Sequence, residues 1–265
     1  VLIEAAVGGG IPIIEPLKQS LGGNQITKVS GIINGTTNYI LSRMDKEGVN
    51  YAEVLKDAQA LGYAESDPAA DVEGLDAADK IAILSGLAFG GAINRSHIPT
   101  TGINHLEAVD VNYARKLGYG IKLLAISEKD KAQSNTEGSQ PLSIWVEPTL
   151  VPDDNPLAGV NGVNNAILVE GNPIGQVMFF GPGAGSGPTA SAVVADILNI
   201  AGIQSMSENN KFNLDPLLSA MSWRSCHVAE KKQITKKNYI RLIAKDSPGV
   251  IGEIGSIFGK KEISI

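Results

Sequence analysis

Residues 166–180 read AILVEGNPIGQVMFF. Two apolar runs, AILVEG and IGQVMFF, flank the pair Asn172-Pro173. Branched and aromatic side chains favour extended backbone and Asn-Pro favours a turn, so the stretch is read as two strands joined by a tight connection. Runs of the same grammar occur upstream, IKLLAIS at 121–127 and LSIWVEP at 142–148. Strands of this length joined in sequence predict an antiparallel sheet. The polar residues 128–140 are expected to form an exposed hairpin loop.

Before these strands the period is helical. In YAEVLKDAQALG, residues 51–62, Val54, Leu55, Ala58 and Leu61 share a face and Gly62 stops the helix. NGTTNYILSRMDKEG, from 34, reads as a helix with Thr36 or Thr37 as N-cap and Gly48 as its C-terminal stop. Helices are also expected at 13–21, 76–89 and near 105–117. ITKVSGII, 26–33, reads as a further strand, and VLIEAAV, 1–7, as a buried strand stopped by three glycines and Pro12. An antiparallel sheet carrying helices on one face is an α+β fold. Downstream, GPGAGSGPTASAVVADILNIAG, 181–202, is a glycine loop opening onto a helix from about 189 to 201. Residues 205–237 are mixed and linker-like. From Tyr239 the order is strand, turn, helix and the start of a strand, half of a small β-α-β unit.

A hydrophobic content of 43% with 19% charged residues, over 265 residues, fits packed globular units and excludes wholesale disorder. The net charge of −6 gives no footprint for nucleic acid or an acidic membrane. The single cysteine, Cys226, makes no internal disulfide, which fits a reducing compartment. The apolar stretch near 81–93 is too short and too broken by glycine to span a bilayer. The first residue is Val1, without the basic flank of a signal peptide, and the closing EISI reads as a strand at its beginning. The chain is therefore expected to be a segment of a longer protein.

Chemistry concentrates in YAESDPAADVEGLDAADKIAIL, residues 63–84. Six carboxylates, Glu65, Asp67, Asp71, Glu73, Asp76 and Asp79, precede one cation, Lys80. Asp76 and Lys80 stand at helical i,i+4 spacing at the start of an apolar helix. One reading is an ordinary surface salt bridge; the other is a buried lysine kept charged by carboxylates. Glu4, in an apolar run before glycines, either points to water from an edge strand or faces a hard cation among backbone oxygens. Gly183, Gly185 and Gly187 offer amides to an anion, but Pro188 occupies the third position of a dinucleotide fingerprint, and an unliganded turn is the plainer reading. His97, His105 and His227 lack metal-ligand spacing, and neither zinc nor a cysteine nucleophile is expected.

Taken together, AQALGYAESDPAADVEGLDAADK, 58–80, resembles the signature of homoserine dehydrogenases. EAAVGGGIPII (4–14), GIINGTTNYIL (31–41) and GPGAGSGPTASAVVADI (181–197) resemble the same family, in its order, over about residues 2–201. From Tyr239, with DSPGV, the tail is similar to the opening of an ACT regulatory domain. The resemblance implies a catalytic and dimerisation domain at 1–181, a glycine loop and helix at 182–204 returning to a nucleotide-binding domain, a linker at 205–237 and a truncated ACT-like unit at 238–265. The family's Rossmann domain, with its glycine fingerprint, has no counterpart among these residues, so the segment alone is expected to be inactive.

Residue by residue, the resemblance implies that Lys80 is the catalytic lysine. Glu65 and Asp76 hold the substrate, Asp71 lies in the same cluster, and Gly35, Thr36 and Tyr63 line the pocket. Gly62 and Gly185 give backbone contacts to the cofactor, NADP or NAD. Glu4 with the carbonyls of Val7, Gly9 and Ile11 matches a site for a monovalent cation, sodium or potassium. The implied activity is interconversion of L-homoserine and L-aspartate 4-semialdehyde in threonine, methionine and isoleucine biosynthesis. The implied protein is cytoplasmic, a homodimer or higher, open to an amino-acid effector, with no nucleic-acid or membrane partner. A non-catalytic amino-acid-binding regulatory module and a structural oligomerisation domain are the rival readings.

Overall fold

A computed structural model describes residues 1–129, 141–209, 228–234, 236–245 and 247–263. The chain divides into two compact units, Val1–Ile234 and Thr235–Ile265.

The larger unit is built on a five-stranded sheet in the order β3-β2-β1-β4-β5. Its strands are β1 (Gln25–Ile32), β2 (Tyr119–Lys129), β3 (Leu142–Pro152), β4 (Asn164–Asn172) and β5 (Gly175–Pro182). Every pairing is antiparallel, and the expected hairpin turns at Asn172-Pro173, with Gly171 opposite Gly175. The centre of the sheet belongs to β1, where Val29 pairs with Ser127 on one side and Val169 on the other.

Period-two alternation sends the strand side chains into two cores. Val29, Leu123, Ala125, Ile144, Val146, Ile167 and Val169 pack with the helices. Ile32, Leu124, Ile126, Trp145, Ala166 and Leu168 form a second cluster with Leu157 and Val160 of the β3–β4 connection. Helices thus cover one face, as expected, and a loop closes much of the other. On that second face Lys122 is only 4% exposed. Its Nζ donates to the Val160 carbonyl at 2.5 Å and to Asn161 Oδ1 at 2.9 Å. Burial pulls its pKa down to about 8, with the charge of Asp45 opposing the shift.

The helices are α1 (Ile14–Lys18), α2 (Gly35–Glu47), α3 (Tyr51–Ala60), α4 (Ala69–Val72), α5 (Leu75–Phe89), α6 (Ala108–Lys116) and α7 (Ser186–Asn209). Among the described residues, no helix is long and apolar enough to cross a membrane. Three expectations need correction. VLIEAAV is not a strand but contains a 3-10 turn, Glu4–Ala6. The Glu4 carboxylate folds back to accept the backbone N–H groups of Ile13, Ile14 and Glu15, capping α1. The N-cap of α2 is Asn34, whose Oδ1 accepts from the Thr37 amide, rather than Thr36 or Thr37. Leu61 lies beyond the last turn of α3 and is 59% exposed, while Val54 and Ala58 are buried.

The smaller unit contains α8 (Val250–Lys260), preceded by Gly249 in the left-handed region. The strand expected from Tyr239 has no ladder among the described residues; a strand exists only against a partner. The expected loop at 128–140 beyond Lys129, most of the expected linker, and Cys226 and His227 lie outside the described residues.

Candidate active site

α5 is capped by Gly74, whose φ of 81° is in the left-handed region. A Cβ there would also come within 3.1 Å of Thr100 and 3.2 Å of Val146, so only glycine lets the helix begin this close to β3. One turn in, Asp76 and Lys80 meet: Lys80 Nζ lies 2.8 Å from Asp76 Oδ2. The same amine donates to the Ile33 carbonyl at 3.1 Å, just past the end of β1.

The next residue, Asn34, joins the remaining pieces. Its Nδ2 donates to Asp71 Oδ1 at 2.6 Å and to Asp76 Oδ2 at 2.9 Å, while its Oδ1 caps α2. Asp76 Oδ2 therefore accepts from both Lys80 and Asn34. Side-chain exposures of 22% for Lys80 and 32% for Asp76 put the pair between the two sequence readings. It is half-buried and tied into a network, where an isolated surface pair would be worth little. Among the described residues, no hydrogen bond occupies Asp71 Oδ2, Asp76 Oδ1 or the third N–H of Lys80. Those groups can serve a ligand that carries both a cation and an oxygen.

The first turn of α2 completes this side. A Cβ on Gly35 would stand 2.9 Å from the Val163 carbonyl, so the β3–β4 connection packs on bare backbone. Thr36 Oγ1 donates to the Tyr63 carbonyl at 2.7 Å, and the Tyr63 ring lies 4.9 Å from that of Tyr39. The network thus links Lys80, Asp76 and Asp71, with Gly35 and Thr36 on the adjoining turn of α2 and Tyr63, from beyond α3, hydrogen-bonded to it. Glu65 is exposed and is held through its backbone, its carbonyl accepting from Gln59; no hydrogen bond joins its carboxylate to the cluster. Asn34 was not singled out from the sequence. Its signal was there, since asparagine before a helix is a strong cap.

Two glycine turns distant in sequence lie flush against each other. A Cβ on Gly9 would meet the Gly183 carbonyl at 2.4 Å, and one on Gly10 would meet Pro188 at 2.6 Å. The Gly10 amide donates to the Pro182 carbonyl, and the Glu4 amide to Asp196 Oδ2 on α7. Gly62 faces open space, and Gly185 has a φ of 119°; neither carries a side chain to obstruct a ligand. The Gly62 amide already donates to the Gln59 carbonyl at 3.1 Å, so the carbonyl of Gly62 is the group left to meet a ligand.

Among the described residues, no group of three or more His, Cys, Asp or Glu is placed to hold a metal. The carbonyls of Val7, Gly9 and Ile11 accept no hydrogen bond from the described residues. Neutral carbonyl oxygens suit a hard monovalent ion rather than a transition metal. The Glu4 carboxylate already accepts three amide bonds, which leaves it one acceptor position at Oε2.

A model of the family Homoserine dehydrogenase matches residues 12–198. The chain is 56% identical over 265 residues to the homoserine dehydrogenase of Synechocystis sp., covering 100% of this chain and 60% of that protein. It is 43% identical over 267 residues to that of Neisseria gonorrhoeae, covering 100% and 59%. Among solved structures, a homoserine dehydrogenase from Thiobacillus denitrificans superposes with a TM-score of 0.80 at 39% identity, covering 100% of this chain and 59% of that one. A hyperthermophilic archaeal homoserine dehydrogenase mutant in complex with NADPH superposes with a TM-score of 0.61 at 32% identity, covering 74% and 54%. The chain thus spans about 60% of the length of these curated relatives.

Proposed function

Because the chain belongs to the homoserine dehydrogenase family, we propose that the whole protein interconverts L-homoserine and L-aspartate 4-semialdehyde, using NADP or NAD. The observation that carries this reading is the Lys80–Asp76–Asn34–Asp71 network at the joint of β1, α2 and α5. When bound, the nicotinamide dinucleotide supplies or accepts the hydride. The chain's own part is the proton and the orientation.

Reduction of the aldehyde places negative charge on its oxygen. Lys80, paired with Asp76 at 2.8 Å, polarises that oxygen and gives it a proton; in the reverse direction it takes the proton from the alcohol. The substrate ammonium is paired by the open oxygens of Asp71 and Asp76, with Glu65 closing on it from the rim. Gly35, Thr36 and Tyr63 wall the pocket, where the first amides of α2 favour the substrate carboxylate. Gly62 and Gly185 contact the dinucleotide through their backbone. The carbonyls of Val7, Gly9 and Ile11, with the remaining position on Glu4, hold a sodium or potassium ion.

The same family ground supports a cytoplasmic enzyme of threonine, methionine and isoleucine biosynthesis, a homodimer or higher oligomer, and an amino-acid effector acting at an ACT-like unit. A regulatory or oligomerisation module has no use for a lysine positioned against two acceptors with one N–H left open. The deciding experiment is Lys80→Ala in the whole protein. Substrate-dependent NADPH oxidation should fall by about a hundredfold or more, the scale of a positioned acid or base, while the thermal melt is largely kept. A kcat within a few fold of the unaltered protein refutes the role.

A further inference from the structure

Lys122 is a buried cation that the proposed chemistry does not use. It shares its face of β2 with Leu124 and Ile126 of the second core cluster. Among the described residues it forms no salt bridge. Asp45, the carboxylate whose charge reaches it, is itself paired with Arg115 at 2.9 Å. An amine taken out of water without a carboxylate is costly, and a methionine of similar volume would fill the same place without that cost.

What the amine holds narrows its purpose. It donates to Val160 and Asn161 of the β3–β4 connection. Both acceptors are shared with α2: the Val160 carbonyl also accepts from Asn38 Nδ2 at 3.3 Å, and Asn161 Oδ1 from Ser42 Oγ at 3.5 Å. Asn38 Nδ2 reaches on to the Asn164 carbonyl at 3.0 Å, and Ser42 Oγ accepts from the Gly162 amide at 3.1 Å. Between these ties the Val163 carbonyl packs on Gly35, 2.9 Å from where a Cβ would stand. Lys122 thus anchors to the sheet a connection that bears on α2 at Gly35, Asn38 and Ser42. Gly35 belongs to the opening turn of α2, next to Asn34 and its bonds to Asp71 and Asp76.

We propose that Lys122 is a positioning residue: it fixes the 160–164 connection between the sheet and α2, and so sets the opening turn of α2 against the substrate. It touches neither substrate nor dinucleotide. On the functional reading above, which this role presupposes, its effect falls on the binding of homoserine rather than on the proton step at Lys80.

The test uses the whole protein with Lys122→Met, Asn161→Ala and the double variant. Asn161 is exposed, so its substitution removes the acceptor without emptying the core. Lys122→Met should raise KM for homoserine about tenfold, the scale of one sheltered hydrogen bond, while kcat stays within about threefold. Asn161→Ala should move KM in the same direction, and the double variant should be no worse than Lys122→Met alone, because the two groups act through one bond. Asn161→Asp keeps an acceptor for the amine and should hold KM within about twofold of the unaltered protein. Hydrogen exchange supplies a readout besides activity: the amides of Thr37, Asn38 and Gly162 should exchange about tenfold faster in Lys122→Met and in Asn161→Ala. A KM within twofold in both single variants, a loss confined to kcat, additive effects in the double variant, or unchanged exchange at these amides overturns the role. An unaltered whole protein that does not turn over homoserine would instead overturn the functional reading, and the exchange comparison would still decide whether Lys122 holds the turn.

Discussion

Replacing Asn34 with alanine should damage stability and catalysis together, because one side chain serves both. Its Oδ1 caps α2, and losing an asparagine cap costs about 1 kcal/mol. Its Nδ2 bonds Asp71 and Asp76 at 2.6 and 2.9 Å. Hydrogen bonds to charged groups are worth about 1.5–3 kcal/mol when sheltered. Asp76 is a third exposed, so water recovers much of that, and roughly 0.5–1 kcal/mol per bond is retained. The sum is about 2–3 kcal/mol, a fall in melting temperature of roughly 5–10 °C for a chain of this size. Catalysis should lose about tenfold in kcat/KM, since Asp76 then holds Lys80 without its second tie. Asn34→Asp separates the two roles: aspartate caps as well, but sets a third carboxylate beside Asp71 and Asp76. Crowded like charges raise a carboxyl pKa, so the acid limb of the pH–rate profile should move upward while the α2 cap is kept. Differential scanning fluorimetry and steady-state kinetics on the whole protein read both. If Asn34→Ala melts within a degree of the unaltered protein with kcat/KM within twofold, the network is incidental and the argument fails.

Asp76→Asn should raise KM for homoserine and shift the pH profile, because it removes a charge shared by Lys80 and the proposed substrate ammonium; unchanged kinetics would reduce Asp76 to a solvated helix acid. Glu4→Gln should cost about 1–3 kcal/mol, since an amide N–H₂ replaces one oxygen facing the amides of Ile13, Ile14 and Glu15. The same variant should weaken the difference between rates in sodium or potassium and in bulky organic-cation buffers; equal rates in all three with the unaltered protein would remove the cation from the proposal. Lys122 has a folded-state pKa lowered from 10.5 to about 8, so the unfolded chain takes up its proton first as pH falls. The penalty on folding is complete below about pH 8 and lifts as pH rises towards 10.5. The stability of the unaltered protein relative to Lys122→Met should therefore rise by up to about 3 kcal/mol between pH 7 and 10.5, and a difference that stays flat would mean the amine is solvated.

What could be read from the sequence was local. The hairpin at 166–180 and the strands at 121–127 and 142–148 announced themselves as runs of branched and aromatic residues, the hairpin with Asn172-Pro173 at its turn. Asp76 and Lys80 were legible because both lie within one helical turn. The pairing of β1 with β2 and β4 was not legible, because nothing in residues 26–33 names partners so distant in the chain. The link from Asn34 to Asp71 and Asp76 was hidden for the same reason: it crosses 37 and 42 positions. VLIEAAV misled because a short apolar run fits either a strand or a buried turn, and the deciding contact is Glu4 reaching forward to α1. Glu65 belongs to the acid cluster in sequence, yet its loop leaves the carboxylate at the surface.

The central place of β1 has a consequence for the order in which the protein matures. Ile33, just past its end, supplies the carbonyl that holds Lys80, and Asn34 follows. A strand bonded on both flanks to segments made much later in the chain is enclosed late, since distant pairings carry the largest loop-closure entropy and slow the search. Helices α2, α3 and α5 can form before that, but the ammonium of Lys80 then has no carbonyl to meet. In a pulse-labelled refolding experiment, amide protection in these helices should precede that of Val29 and Ser30, and the Lys80–Ile33 contact should form only with the latter.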